Sequence, residues 1–214
     1  MRIQFDNELK NLNDKLIQMG NAIEKNISES FNALVNKDVE LATRIANEDS
    51  LIDRMQREIE NICFDLLIRE QPVAKDLRAV TAALKMVTDM ERIGDHAADI
   101  SEITIIIAEN KLIINSDIIS LMASETIDML IKSIDAFTEK SADLANWVIE
   151  HDDVVDQLFL DVKADIVELI KKDSHRGEAE IDMLLIAKYL ERIADHATNI
   201  AEWVLYSLDN RIKG

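Results

Sequence analysis

Chain breakers and cross-links are scarce in this sequence: 214 residues hold 4 Gly, 1 Pro and 1 Cys. So few turn-forming residues exclude the frequent tight turns of an all-β or doubly wound fold. The lone Cys63 excludes an internal disulfide framework and fits a reducing compartment. Basic residues are the minority, 24 Lys+Arg against 42 Asp+Glu, for a formal charge of −18. That surface repels phosphate backbones and anionic lipid, which disfavours nucleic acid as a partner. The longest apolar stretch, near Ile103–Ala108, is far too short to span a bilayer. The opening MRIQFDNELK carries no apolar core of a secretory signal, so a cytoplasmic location is expected. Yet 48% of the residues are hydrophobic, too many for a disordered acidic tail. The length is enough to bury a real core.

What is present is helical periodicity. Phe5, Leu9, Leu12, Leu16, Met19 and Ile23 alternate in steps of four and three, within a segment from about Asp6 to Val35. From Asp38 to Leu67 the stripe reads Leu41, Ile45, Glu48, Ile52, Met55, Ile59, Ile62 and Leu66. From Pro72 to Glu109 it includes Met86, Met90, Ile93, Ala97, Ile100, Thr104 and Ile107. Such steps place the residues on one seam of a helix that packs against other helices. Breaks are short: Asp38 is suited to N-cap the second helix, and Pro72 to open the third.

The chain then repeats itself. Glu91–Glu102 (ERIGDHAADISE) lies over Glu191–Glu202 (ERIADHATNIAE) at an offset of 100, with eight of twelve positions identical. The preceding helix repeats at an offset of 103, so that Leu41, Ile45, Ile52, Met55, Ile59 and Leu66 map to Leu144, Val148, Val155, Leu158, Val162 and Leu169. The expected fold is all-α: two tandem three-helix up-down-up bundles, residues 1–112 and 113–214, related by an internal repeat. One continuous six-helix bundle is the alternative.

The repeat carries acids at helical spacing. With the third-helix seam centred on Ile93, Glu91, Asp95 and Asp99 fall off the seam in one outward strip. On the second helix, Asp49 and Asp53 flank the seam, and Asp152 and Asp156 are their counterparts. Each half thus pairs two acid-x-x-x-Asp motifs: Asp49/Asp53 with Glu91/Asp95, and Asp152/Asp156 with Glu191/Asp195. Like charges four residues apart destabilise a helix by roughly 0.2–0.5 kcal/mol per pair. Solvent offsets this if the strips face different ways; a multivalent cation offsets it if they converge. Carboxylates are hard ligands suited to Fe(III), Mn, Mg or Ca, with Zn also accepted. His96 and His196 follow Asp95 and Asp195 and are expected to line a groove or support ligands. Glu48 and His151 are seam residues expected to be satisfied by neighbours. Arg92 and Arg192 are expected to pair with nearby acids, and Cys63, Trp147 and Trp203 to serve packing.

Enzyme chemistry is not indicated. There is no Gly-rich phosphate loop and no His-Glu-x-x-His. The Glu-x-x-x-x-His spacing here differs from the Glu-x-x-His of di-iron bundles. A binding or regulatory protein is favoured over an enzyme.

The tandem Glu91-Arg92-Ile93-Gly94-Asp95-His96 and Glu191-Arg192-Ile193-Ala194-Asp195-His196, with Gln71-Pro72-Val73-Ala74-Lys75-Asp76-Leu77-Arg78 opening the third helix, resemble the motifs of the PhoU phosphate-signalling family. The resemblance covers the whole chain. It implies two tandem three-helix bundles whose acidic motifs hold multinuclear iron or zinc clusters, or other divalent ions such as Mn or Mg. It implies negative regulation of phosphate uptake and of the phosphate-starvation two-component response. The implied partners are the ATPase subunit of the phosphate ABC transporter and the phosphate-sensing histidine kinase, which would hold the protein at the inner face of the membrane. A homodimer is left open. Carried over to this sequence, the first metal site is Asp49, Asp53, Glu91 and Asp95, with Asp99 added. The second is Asp152, Asp156, Glu191 and Asp195, with Asn199 at the position of Asp99. Because Asn199 brings no charge, and Tyr189 replaces Asp89, the second site is expected to hold fewer ions or hold them less tightly. A metal-storage or buffering protein without a signalling role is the rival reading.

Overall fold

The structure is a computed structural model that describes residues 2–69, 74–110, 117–173 and 177–208. Six helices follow one another: α1 (Arg2–Asn36), α2 (Val39–Arg69), α3 (Ala74–Glu109), α4 (Asp117–Glu139), α5 (Ala142–Lys172) and α6 (Gly177–Leu208). No strand occurs among the described residues. The expected division at 112/113 and the expected opening of α3 at Pro72 lie outside the described residues, as do Gln71 and Val73.

Helix ends explain how these long rods turn back. After α1 the chain enters the left-handed region at Lys37 (φ 52°), and after α4 at Lys140 (φ 54°), repeat-equivalent positions. Each turn closes with the same two bonds. Asp38 N–H donates to Ala33 O at 2.9 Å and Lys37 N–H to Leu34 O at 3.3 Å; Ser141 N–H donates to Ala136 O at 2.9 Å and Lys140 N–H to Phe137 O at 3.4 Å. This is the Schellman pattern, which satisfies carbonyls left open at a helix end. The next helix starts at once: Asp38 Oδ1 accepts from Leu41 N–H at 3.0 Å, and Ser141 Oγ from Leu144 N–H at 3.2 Å. Asp38 is the N-cap that the sequence suggests.

Each half is a three-helix bundle, α1–α2–α3 and α4–α5–α6, with every pair inside a half in contact. The periodic residues fill the core: Leu12, Leu16, Met19 and Ile23 of α1, Ile52 and Ile59 of α2, and Ile93, Ala97 and Ile100 of α3 are buried. Val148, Val155, Val162, Ile193 and Ile200 do the same in the second half. Gly94 serves a close approach, since a Cβ there would stand 2.9 Å from Ile52 Cγ2. The repeat has Ala194 and the smaller Val155 at those positions, so the lost and gained volumes offset one another.

The halves are not separate bodies. α3 packs along α6, and α1 touches α4, so one apolar core runs through all six helices. Contacts of Asp89 with His196, and of His96 with Tyr189, show that α3 and α6 run antiparallel. The outer helices α2 and α5 each serve only their own bundle. The architecture is therefore two tandem three-helix bundles sharing a core.

Candidate metal centre

In the first half the acids of α2 and α3 meet. Asp49, Asp53 and Asp95 bring one oxygen each to within 4.8 Å of one another, the only such trio of acid, His or Cys donors among the described residues. Antiparallel packing of α2 on α3 causes this, by setting a residue pair four apart on one rod beside such a pair on the other. Burial pushes the Asp49 carboxyl above the usual carboxylate range, and the charges of Asp95 and Asp53 push it further. Asp49 Oδ1 is buried without a hydrogen-bond partner. Glu91 is shifted upward too, by burial and then by Asp95, while Arg92 opposes the shift. Asp49, Asp53, Glu91 and Asp95 thus form one cluster. Asp99 lies near enough to add to the field on Asp49, but its own carboxylate faces His96 Nδ1 at 3.2 Å.

The second half repeats the arrangement. Burial raises the pKa of Asp152 to about 6, with Asp195 and Asp156 adding to it. Asp195 is likewise raised, by burial, then Glu191 and Asp156. Asp152, Asp156, Glu191 and Asp195 therefore share one groove between α5 and α6. Asn199 does not point its amide into it: Nδ2 donates to Asp89 Oδ1 of α3 at 3.1 Å.

Between the clusters lies a cross-bundle seam. Asp89 Oδ1 also faces His196 Nδ1 at 2.9 Å. In the equivalent position on the other side, Tyr189 lies against His96, ring centroids 5.3 Å apart. The two imidazoles face each other at 5.9 Å, and burial holds His96 below the ordinary histidine range. Both histidines line an open cleft of about 630 Å³ together with Arg92, Arg192, Asp195 and Asn199. Arg92 reaches Asp95 Oδ2 at 2.9 Å and Glu91 Oε2 at 3.5 Å. The first cluster, through Arg92, and the second, through Asp195, thus border the same cleft and share one face of the molecule. A model of the PhoU domain matches residues 16–104 and again 119–204. A phosphate-specific transport system accessory protein PhoU homolog of Clostridium acetobutylicum is 35% identical over 211 residues, covering 97% of this chain and 95% of the relative.

This chain belongs to the PhoU family. The corresponding PhoU homolog of Pseudomonas aeruginosa is 33% identical over 95% of this chain and 84% of its own length. The crystal structure of PhoU from that organism superimposes with a TM-score of 0.92 at 33% identity, covering 95% of this chain and 98% of that one. The phosphate transport system regulatory protein PhoU from Streptococcus pneumoniae gives 0.88 at 29% identity, over 98% and 99%. PhoU relatives bear the names of accessory and regulatory proteins of phosphate transport, not of enzymes. No described helix is long and apolar enough to cross a membrane.

The remaining residues that the sequence singles out have partners as follows. Glu48 faces Arg44 Nη1 at 3.6 Å, and His151 Nε2 faces Glu125 Oε2 at 2.7 Å, so both polar seam residues are satisfied. Trp147 stacks on His151 at 4.2 Å and Trp203 meets Tyr206 edge-on. Cys63 is fully buried. Arg192, expected to pair with an acid, has neither an ion pair nor a hydrogen bond among the described residues. Sequence reasoning noted Asp89 only as a departure between the repeats and did not foresee that it joins the bundles; Lys188 of α6, ion-paired with Glu191, was not flagged. For Lys188 the signal was present, a cation three residues before an acid on one helix.

Proposed function

We propose that this protein is a metal-binding negative regulator of phosphate uptake and of phosphate-starvation two-component signalling. It bridges the ATPase subunit of a phosphate ABC transporter and a sensor histidine kinase at the inner face of the membrane. The observation that supports metal binding is the trio Asp49, Asp53 and Asp95, with a buried oxygen of Asp49 lacking a partner. Converging carboxylates are costly even with arginines at their edge, and each offers an oxygen to a hard or borderline cation. Asp49, Asp53, Glu91 and Asp95 would hold ions in the first centre, with Asp99 at its edge through His96. Asp152, Asp156, Glu191 and Asp195 would hold them in the second. Iron or zinc clusters, Mn and Mg all suit this donor set. A bound cation there supplies a fixed charge that clamps α2 to α3 and α5 to α6.

The regulatory reading rests on membership of a family whose named members serve phosphate transport. The charge of −18 favours basic patches on the partners. The clamped face carrying both centres is the docking face. When phosphate is ample, the protein holds the kinase silent. The test is direct. Chelated and metal-loaded protein are compared for binding to the transporter ATPase and to the kinase, with circular dichroism as the control. Chelation is expected to abolish binding while helicity barely changes; unchanged binding after full metal removal refutes the coupling. Deletion of the gene is expected to switch on phosphate-starvation reporters at high phosphate. Metal content that tracks supply, with no partner recovered, supports storage instead.

A further inference from the structure

The two centres neutralise their acids differently. In the first, the nearby cations are Arg92, which takes Oδ2 of Asp95 and Oε2 of Glu91, and Arg57, 3.4 Å from Oδ2 of Asp53. That leaves the second oxygen of each carboxylate free to turn toward the cluster. In the second, Lys188 Nζ contacts both oxygens of Glu191. Its charge also acts on Asp195, lowering the pKa that Glu191 and Asp156 raise. The repeat places Thr88 where Lys188 stands, and the Thr88 hydroxyl turns back to Leu84 O at 3.2 Å. The repeat of Arg92 is Arg192, which is free of ion pairs among the described residues. An ammonium that occupies both oxygens withdraws Glu191 from any donor set. The donor trio within 4.8 Å is formed by Asp49, Asp53 and Asp95, without Glu91, and no equivalent trio forms in the second half among the described residues.

We propose that Lys188 is the built-in counter-ion of the second acidic centre, held against Glu191 until a divalent cation displaces it. It sets the cation affinity of that centre below the value its four carboxylates would otherwise give. Lys188 Nζ already lies over the Phe159 ring of α5, 5.3 Å from its centroid, a cation–π contact that does not depend on Glu191. The inference rests on the metal-binding reading above and adds to it a residue that tunes one centre but not the other.

The experiment is calorimetric titration with Mn²⁺ on the full chain carrying Asp53→Asn and Asp95→Asn, so that the heat reports the second centre. Adding Lys188→Met is expected to tighten Mn²⁺ binding about tenfold, because the competing ion pair and its repulsion of the dication both vanish. Lys188→Arg, which keeps the charge, is expected to stay near the parent value. In the otherwise unsubstituted chain, Thr88→Lys is expected to weaken the first centre. Circular dichroism checks that each variant folds. Measurable binding in the parent with no change in Lys188→Met overturns the counter-ion role and leaves the metal reading standing. No Mn²⁺ heat in any chain, the unsubstituted one included, overturns the metal reading and this inference with it.

Discussion

Replacing Asp152 by Asn should stabilise the metal-free protein at neutral pH and destabilise the metal-loaded one. Burial, Asp195 and Asp156 raise the Asp152 pKa from 3.8 to about 6. The folded state therefore holds this proton more tightly than the unfolded chain does. The resulting penalty on stability is absent below 3.8, grows as pH rises through the window up to about 6, and is complete above it. At 1.36 kcal/mol per pKa step the full penalty is roughly 3 kcal/mol. Asp152 keeps some contact with water, which reduces this to about 2 kcal/mol. In a chain of this size that corresponds to a rise in Tm of about 4–8 °C. The assay is urea and thermal unfolding, followed by circular dichroism, in chelator at about pH 7.5 and about pH 3.5. Asp152→Asn should exceed the parent at the higher pH and match it at the lower. In excess Mn²⁺ the order should reverse, because the parent gains binding energy that the variant has lost. Equal stabilities in chelator at the higher pH, or a gain that persists unchanged at the lower one, would refute the electrostatic account of the centre.

Three further outcomes follow from the packing. Gly94→Ala drives a Cβ against Ile52 and should cost about 1–3 kcal/mol; adding Ile52→Val, the pairing that the repeat uses, should recover much of that loss in urea melts. Asp89→Ala removes the acceptor of His196 and Asn199 and should cost about 1–3 kcal/mol, read from the same melts. The Cys63 thiol, fully buried and pushed up to about 12, should resist alkylation in the native protein and react only on unfolding, as mass spectrometry would show.

Much of the fold was legible because a seam residue is apolar for one reason, burial against another helix. Leu12, Ile52, Ile93 and Val155 all announce themselves that way and all are buried. The acidic motifs were legible because helical spacing alone puts Asp49 and Asp53 on one flank, and Glu91 and Asp95 on another. What periodicity does not encode is which helix of one bundle meets which of the other. The α3–α6 packing was therefore hidden, and with it the roles of Asp89, Tyr189 and Asn199. On the sequence Asn199 is a weakened copy of Asp99; in the fold the two amino acids face different neighbours, Asp89 for one and His96 for the other. Nor could spacing say that Arg192 makes no ion pair among the described residues while Arg92 does, since a long side chain chooses among several acids by small differences in position.

The antiparallel meeting of α3 and α6 about a near-twofold axis bears on how a duplicated chain can drift. Two identical first halves, joined in this geometry, would set Asp89 of each against Asp99 of the other, carboxylate on carboxylate, on both sides. An amide at 199 relieves the clash on one side, and a phenol at 189 removes it on the other. Once both halves sit on a single polypeptide, each edit is needed only once, and symmetry is no longer the cheapest way to join them.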